Sequence, residues 1–255
     1  MKRYSIGIDS GSTFTKTVLL DEQRIVDYAI HPTTWNPNAV AYDMIGTICE
    51  KNRVHPGNCY IVSTGYGRNN IEQSNKAITE ITCHARGAMF LQPGVHAILD
   101  IGGQDSKAIV LASGKVVDFL MNDKCAAGTG RFLSMICDKL EIDFDEVDQN
   151  VNMNNPVSIN NMCAVFAESE VIGLLANGAP RSDVLGGVVL SIGEKISQLA
   201  NKVGIAKQSD ILFTGGPSSI ASLRETIQKL TGYNVATHAL SVYAGAIGAA
   251  LPAAQ

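Results

Sequence analysis

The sequence predicts an α/β fold that is built from two similar lobes. Three glycine turns are the basis of this prediction. The pattern Asp-x-Gly-x-x-x-x-Lys occurs at residues 9–16 and again at residues 100–107. An apolar run stands before and after each copy, which is typical of two strands joined by a tight glycine turn. The third turn, residues 214–217, lies at a predicted strand-to-helix junction.

The predicted elements follow a similar order in both halves of the chain. The first half predicts three strands within residues 4–30, a helix at 39–51, a short strand at 60–63 and a helix at 79–91. The second half predicts three strands within 96–121, helices at 125–140, 163–176, 182–203 and 218–230, a buried strand at 210–214 and a small-residue helix at 239–251. We therefore expect a first lobe at 1–95 and a second at 96–255. The helix after about residue 239 is able to pack back on the first lobe.

Composition and charge limit the class of protein. The chain has 255 residues, of which 45% are hydrophobic, so it can bury a substantial core. The formal net charge is −4 and the pI is about 5.7, without a run of Lys or Arg, which disfavours nucleic acid or an anionic membrane as partner. The first residues are charged and lead into a strand, unlike a secretory signal. We expect a cytoplasmic protein.

The glycine turns indicate a nucleotide site in the cleft between the lobes. Such a turn exposes backbone N–H groups to an anion, nearby Ser, Thr and Lys add donors, and an Asp at a strand end can hold a hydrated divalent cation. We expect ATP or ADP with Mg²⁺. The candidate nucleotide ligands are Gly11, Ser12, Thr13 and Lys16 in the first turn, Gly102, Gly103 and Asp105 in the second, and Gly215, Gly216 and Pro217 against the adenosine. We also expect the helix after this third turn to face polar ligand atoms with its N-terminus.

The charged side chains of the two turns allow more than one interpretation. Asp9 and Asp100 are candidate Mg²⁺ ligands through water, although Asp beside a glycine turn is often only turn chemistry. The repetition of the pattern favours a functional role for both. Lys16 is a candidate phosphate ligand, whereas the role of Lys107 stays open. Gln104 is the candidate that orients the attacking water, so Gln104, Asp100 and Asp9 form the predicted catalytic set.

Three segments resemble a known family. Residues 100–107, 122–132 and 162–170 are similar to the activator component of 2-hydroxyacyl-CoA dehydratases, a family that includes the ATPase subunits of benzoyl-CoA reductase. The wider superfamily contains actin, the sugar and acetate kinases and the heat-shock chaperone ATPases. The resemblance covers nearly the whole chain and is weakest from about residue 26 to 59. It implies a duplicated actin-like (ribonuclease H-like) ATPase fold.

The resemblance also implies a function. Members of this family are ATP-driven electron donors in which a homodimer shares one 4Fe–4S cluster. They take an electron from ferredoxin or flavodoxin and deliver it at very low potential to the dehydratase. The two cluster ligands of the family fall on Cys125 and Cys163.

The cysteine pattern is compatible with a shared cluster but does not by itself require one. Six cysteines in such a chain indicate thiols or metal ligands rather than disulfides, and no C-x-x-C is present. Cys125 and Cys163 each stand at the start of a predicted helix, whose dipole favours a thiolate. Two ligands per chain make four only across a two-fold axis. The alternative is buried apolar thiols, which we favour for Cys49, Cys59, Cys83 and Cys137.

Two other functions stay open at this point. The first alternative is a small-molecule, sugar-type kinase of the same superfamily without a cluster, although no insertion large enough for a sugar pocket is evident. The second is a nucleotide-gated interaction module without a redox role.

Overall fold

The computed structural model describes residues 3–159 and 163–251. The chain divides into two compact units. The first consists of the described parts of Met1–Gly94, Ser113–Val116 and Leu240–Gln255, and the second of those of Val95–Ala112 and Val117–Ala239. The last helix therefore belongs to the first unit, and the second unit ends at Ala239 rather than at residue 255.

The predicted elements occur in the predicted order, and the structure adds the short strands at Lys76–Ala77 and Asn234–Ala236 and the short helix at Val147–Asn150. The strands are β1 (Tyr4–Ser10), β2 (Phe14–Asp21), β3 (Arg24–Pro32), β4 (Cys59–Thr64), β5 (Lys76–Ala77), β6 (Ala97–Ile101), β7 (Ser106–Ala112), β8 (Lys115–Asn122), β9 (Asp210–Gly215) and β10 (Asn234–Ala236). The helices are α1 (Pro37–Lys51), α2 (Glu80–Leu91), α3 (Gly130–Leu140), α4 (Val147–Asn150), α5 (Ala164–Ala176), α6 (Arg181–Lys202), α7 (Ala221–Thr231) and α8 (Ala244–Ala250). Among the described residues, no helix combines the length and apolar character that a bilayer crossing requires.

The first unit is a five-stranded sheet in the order β3-β2-β1-β4-β5. β1 runs antiparallel to β2 and parallel to β4. Helix α1 begins with Pro37 in its first turn and with the Asn36 side chain accepting the Ala39 N–H, a favourable N-terminus. Its apolar residues recur every three or four positions, so one face packs on Ile6, Ile8 and the other core residues of the sheet.

The second unit repeats this arrangement with the sheet order β10-β9-β6-β7-β8. β6 runs antiparallel to β7 and parallel to β9, as β1 does to β2 and β4. Its core is larger and contains the long helix α6, whose buried positions include Val188, Ile192 and Ile196. The central hairpin of each sheet therefore has the same neighbours in both units.

Small residues bring α8 close to α2 and β1. A Cβ at Gly248 would lie 1.8 Å from the Cys83 carbonyl oxygen, and one at Gly7 would lie 1.9 Å from the Ala246 carbonyl oxygen. Real side-chain atoms do not approach this closely, so only glycine permits these contacts. The predicted helix at 239–251 is shorter than expected, because residues 241–243 form a 3-10 turn before α8 begins.

Candidate functional site: two matched glycine hairpins and a cysteine loop

The two Asp-x-Gly-x-x-x-x-Lys patterns form equivalent hairpins. Asp9 stands directly opposite Lys16 in the β1–β2 register, and Asp100 stands directly opposite Lys107 in the β6–β7 register. Each turn is closed by its glycine, whose N–H donates to the carbonyl three residues later. These bonds are Gly11 N to Phe14 O at 3.2 Å and Gly102 N to Asp105 O at 2.9 Å. The repeated pattern is therefore a repeated structure.

A Thr-Gly pair accompanies each hairpin on the neighbouring parallel strand. Thr64 pairs with Asp9, and Thr214 pairs with Asp100. Gly65 and Gly215 have φ angles of +86° and +90°, in the left-handed region that favours glycine. A Cβ on either residue would lie within 2.6 Å of a carbonyl oxygen in the adjacent hairpin strand. The glycine pattern predicts a role for the second pair alone, although the dipeptide at 64–65 repeats the one at 214–215.

The first hairpin presents several polar groups in a confined space. Asp9 is buried, and its Oδ2 atom lies 3.8 Å from Lys16 Nζ. The hydroxyls of Ser10 and Thr13 are buried, and neither makes a hydrogen bond within the part of the chain that the structure describes. Ser12 is half-buried. Buried hydroxyls normally have partners, so these two are candidate ligand groups.

The second hairpin holds its charges in a tight network. Lys107 Nζ lies 3.2 Å from Asp100 Oδ2 and 2.8 Å from Asp105 Oδ1, and the lysine side chain is only 1% exposed. Thr214 Oγ1 donates to Asp100 Oδ1 at 2.7 Å. The sequence left the role of Lys107 open and indicated no partner for Thr214, and in the structure both contact Asp100. Gln104 is exposed at the apex of the turn.

The third glycine turn differs from the prediction in its helix. Residues 216–219 form a 3-10 turn in which Gly216 is exposed and Pro217 is buried, and α7 begins only at Ala221. The N–H groups of Ala221 and Ser222 donate to the Asp148 carboxylate at 2.7 and 2.8 Å. The expectation that this helix N-terminus faces polar ligand atoms is therefore wrong, because a side chain from another segment caps it.

The loop that contains Cys125 is fastened to the second hairpin. The N–H groups of Gly130 and Arg131, at the start of α3, donate to the carbonyls of Gly102 and Gly103 at 2.8 and 3.1 Å. The prediction that Cys125 stands at a helix start is wrong, since α3 begins five residues later and its first N–H groups bind the hairpin.

A side chain makes a third connection between the hairpin and the loop. Ser106 Oγ donates to the Gly128 carbonyl at 2.7 Å. Gly128 has a φ of +100°, and the stem of Lys195 covers it, with Cβ only 2.9 Å from the position of a Gly128 Cβ. The backbone at residues 128–131, shortly after Cys125, is thus held by contacts with the second hairpin and with α6.

The six cysteines differ in their access to the surface. Cys125 and Cys163 are partly exposed, whereas the other four are buried, namely Cys49, Cys59, Cys83 and Cys137. Burial raises the pKa of the Cys83 and Cys137 thiols to about 11, which disfavours the thiolate that binds metals. Cys163 occupies the N-cap position of α5, as the sequence predicts.

Within residues 3–159 and 163–251, no three or more His, Cys, Asp and Glu side chains are grouped so that they could hold a metal ion. Met162, the first residue of the third motif, lies outside the described residues.

Comparison with known proteins assigns the family. The model of the BadF/BadG/BcrA/BcrD ATPase family matches residues 6–253, nearly the whole chain. The chain belongs to this family. The family prediction from the three motifs is therefore confirmed.

Two relatives and one solved structure illustrate the similarity. The (R)-2-hydroxyglutaryl-CoA dehydratase activating ATPase of Acidaminococcus fermentans is 38% identical over 254 residues, which cover 98% of this chain and 97% of the relative. A benzoyl-CoA reductase subunit of Thauera aromatica is 36% identical over 202 residues, or 75% of this chain and 70% of the relative. The structure of the activator of the 2-hydroxyisocaproyl-CoA dehydratase from Clostridium difficile, with bound ADPNP, is 34% identical with a TM-score of 0.89 and covers 97% of this chain and 92% of that chain. The predicted actin-like ATPase fold is confirmed.

Proposed function

We propose that this protein is an ATP-hydrolysing, low-potential electron donor that activates a 2-hydroxyacyl-CoA dehydratase or a related acyl-CoA reductase. The observation that carries the proposal is the direct attachment of the Cys125 loop to a phosphate-type hairpin, through Ser106–Gly128 and Gly102–Gly130. Dehydratase activators and a reductase subunit among the relatives support the choice of partner.

The nucleotide is Mg-ATP or Mg-ADP, and each hairpin by itself carries groups that suit it. Lys16, Ser12 and Thr13 supply a cation and hydroxyl donors to the phosphates. The N–H groups of Gly11 and Gly102 close their own turns, so other backbone N–H groups of the half-buried turns serve as donors. The carboxylates of Asp9 and Asp100 suit a hydrated Mg²⁺, which prefers one or two carboxylates and several waters. Residues 215–217 lie against the adenosine.

Hydrolysis requires a positioned water. Gln104 is exposed at the apex of the second turn, where its amide can orient the water that attacks the γ-phosphorus. The bond between that phosphorus and the β–γ bridging oxygen breaks, which leaves ADP and inorganic phosphate. The positive charge of Lys16 stabilises the negative charge on the phosphate oxygens.

The cysteines fit an iron–sulfur cluster that two copies of the chain share. A 4Fe–4S cluster takes four thiolates, and the two partly exposed thiols of one chain, Cys125 and Cys163, supply half of them. A two-fold axis brings the second pair. When bound, the cluster would supply a one-electron carrier of low potential. The N-cap position of Cys163 places positive helix-terminal charge beside its sulfur.

Apolar side chains next to both cysteines favour a homodimer interface there. Val165 and Phe166 are each 67% exposed and closely follow Cys163. Phe119 and Met121, exposed by 45% and 41%, shortly precede Cys125. Large exposed apolar groups on a globular protein commonly mark an interaction surface.

A ferredoxin or flavodoxin is the proposed electron source.

The first test concerns nucleotide binding. Calorimetry of the anaerobic protein should show Mg-dependent binding of ADP, and Asp9→Ala should remove most of the Mg-dependent part of the affinity. Gln104→Ala should keep nucleotide and iron but lose most hydrolysis and electron delivery. Unchanged Mg-dependent binding in Asp9→Ala would contradict the proposed role of that carboxylate in holding Mg²⁺.

The second test concerns iron. We expect about four iron and four sulfide per dimer after anaerobic preparation. Cys125→Ser and Cys163→Ser should each abolish the cluster, whereas Cys49→Ser, a buried-thiol control, should retain it. Full iron content in both of the first two variants would refute the ligand assignment and with it the redox function.

A further inference from the structure

The two hairpins have the same backbone arrangement, but their lysines have different surroundings. Lys107 is only 1% exposed and contacts two carboxylates, Asp100 at 3.2 Å and Asp105 at 2.8 Å. Lys16 is 16% exposed, and the carboxylate opposite it, that of Asp9, lies farther away at 3.8 Å. The same sequence position therefore holds a lysine enclosed by acids in one hairpin and a more accessible lysine in the other.

One substitution between the two copies explains this difference. The position that Asp105 occupies in the second hairpin is taken by Phe14 in the first. The Asp105 side chain folds back over its own turn, since its Oδ1 atom lies 2.3 Å from where a Gly102 Cβ would stand. That orientation turns the carboxylate toward Lys107. Phe14 offers no charge and is exposed at the end of its turn.

Thr214 and Thr64, which occupy matching positions in the two units, also differ in their contact with the neighbouring Asp. Thr214 Oγ1 donates to Asp100 Oδ1 at 2.7 Å, so both oxygens of Asp100 are held, one by Thr214 and one by Lys107. Thr64 occupies the matching position beside Asp9. Its hydroxyl is buried, but within the described residues it makes no hydrogen bond to Asp9.

We propose that the two lysines have separate tasks: Lys107, together with Thr214, is a positioning residue that holds Asp100 toward the metal, whereas Lys16 is the lysine that contacts phosphate. The inference rests on the proposed Mg-nucleotide function and assigns residues within it. It also reassigns Asp105 from nucleotide ligand to partner of Lys107. A carboxylate held from both oxygens loses little further freedom when it meets a hydrated cation, which is the benefit of preorganisation.

The charges of the two hairpins agree with this division. In the second hairpin the ammonium of Lys107 contacts two carboxylates. In the first hairpin the Asp9 carboxylate lies 3.8 Å from the Lys16 ammonium. The hydroxyls of Ser10 and Thr13, which have no hydrogen-bond partner in the described part of the chain, are left there for an anion. The first hairpin thus offers phosphate an accessible lysine, whereas the lysine of the second is enclosed by carboxylates and helps to hold Asp100.

The test compares ADP affinity with Mg²⁺ and with EDTA, by calorimetry on the anaerobic protein. The ratio of the two dissociation constants measures the contribution of the metal. Lys107→Met should lower this ratio at least about fivefold and change the dissociation constant in EDTA less than about twofold. Lys16→Met should weaken binding in EDTA about tenfold, or 1.4 kcal/mol, and leave the ratio intact.

Two gentler variants keep the test decisive if Lys107→Met does not fold. Thr214→Val and Asp105→Asn preserve shape, and each should lower the metal ratio while leaving the EDTA affinity unchanged. A purely structural role would reduce thermal stability without this selective change in the ratio. Loss of EDTA affinity in Lys107→Met equal to that in Lys16→Met would overturn the proposal. Absence of Mg-ADP binding in the unsubstituted protein would instead refute the proposed function itself.

Discussion

The hydrogen bond from Ser106 to Gly128 offers the sharpest test of coupling between the nucleotide and the cysteines. Ser106 begins β7 directly after the second glycine turn and is 3% exposed. Its hydroxyl donates to a carbonyl that lies three residues after Cys125, at 2.7 Å. The variant Ser106→Ala removes this donor and introduces no new volume.

The expected magnitude follows from burial. A buried carbonyl that loses its hydrogen-bond donor costs about 1–3 kcal/mol. A bias of 1.4 kcal/mol changes a two-state equilibrium tenfold. The variant can therefore abolish a modest coupling between the bound nucleotide and the accessibility of the cysteines. The backbone bonds of Gly130 and Arg131 to the hairpin remain, so the turn itself should stay folded. We therefore expect nucleotide affinity to fall less than about threefold.

The assay follows the cysteines in two ways. In the iron-loaded protein, the rate of iron removal by a chelator is measured with no nucleotide, with ADP and with a non-hydrolysable ATP analogue. In the iron-free protein, the same three states are compared by the reaction of the partly exposed thiols, Cys125 and Cys163, with an aromatic disulfide. The unsubstituted protein should show different rates among the states, and Ser106→Ala should bring the rates together.

A matched control separates coupling from the loss of a hydrogen bond. Ser197 Oγ donates to the Gly193 carbonyl at 2.6 Å and is similarly inaccessible, but both residues lie within α6. Ser197→Ala should keep the full difference between nucleotide states. If Ser106→Ala also keeps it, the route through Gly128 is refuted.

Three further predictions concern stability. Gly248→Ala places a methyl group 1.8 Å from the Cys83 carbonyl and should destabilise the protein by about 1–3 kcal/mol in denaturant titration, whereas Gly46→Ala, with nothing within 4 Å in exposed helix, should stabilise it by about 0.5–1 kcal/mol. Asp148→Ala removes the cap of α7 and should cost about 0.5–2 kcal/mol, with Asp145→Ala as the exposed control; equal effects of the two would contradict the capping role. The hydrogen bond from Arg3 holds the pKa of Asp21 below its ordinary value of 3.8, so its stabilisation is present above that pH and lost as the pH falls through the lower folded value. The stability difference between the unsubstituted protein and Asp21→Asn should accordingly shrink below about pH 4, and a difference independent of pH would disprove it.

The sequence predicted the parts of the site that local patterns control. Both hairpins follow from apolar runs around Asp-x-Gly turns, and their equivalence follows from the repeated lysine. The contacts of these residues could not be predicted in the same way. Thr214 and Asp100 are 114 positions apart and meet because β9 pairs with β6, which no local pattern reveals. The cap of α7 by Asp148, 73 positions away, is of the same kind.

The position of Cys125 shows why a correct motif can give a wrong local structure. The segment after it contains Gly128 and Gly130, and glycine lowers helix propensity while it permits positive φ. Helix α3 starts where its first N–H groups find the carbonyls of Gly102 and Gly103, and those acceptors belong to a distant part of the chain. The helix start was therefore set by tertiary contacts, and the sequence placed it five residues too early.

The two hairpins also differ in where their turns are anchored, which bears on how a nucleotide could act on the cysteines. In the first turn, the Ser10 carbonyl accepts the Gly67 N–H and the Thr13 carbonyl accepts the Thr33 N–H, both within the first unit. In the second, the carbonyls of Gly102 and Gly103 accept N–H groups that closely follow Cys125 in the chain. If the second turn moves when it gains or loses a contact with the γ-phosphate, one of two things follows. Either the start of α3 moves with it, or the two hydrogen bonds to Gly102 and Gly103 break, each worth about 1 kcal/mol. Because both bonds join the start of α3 to the second turn, we expect the cysteine loop to follow that turn.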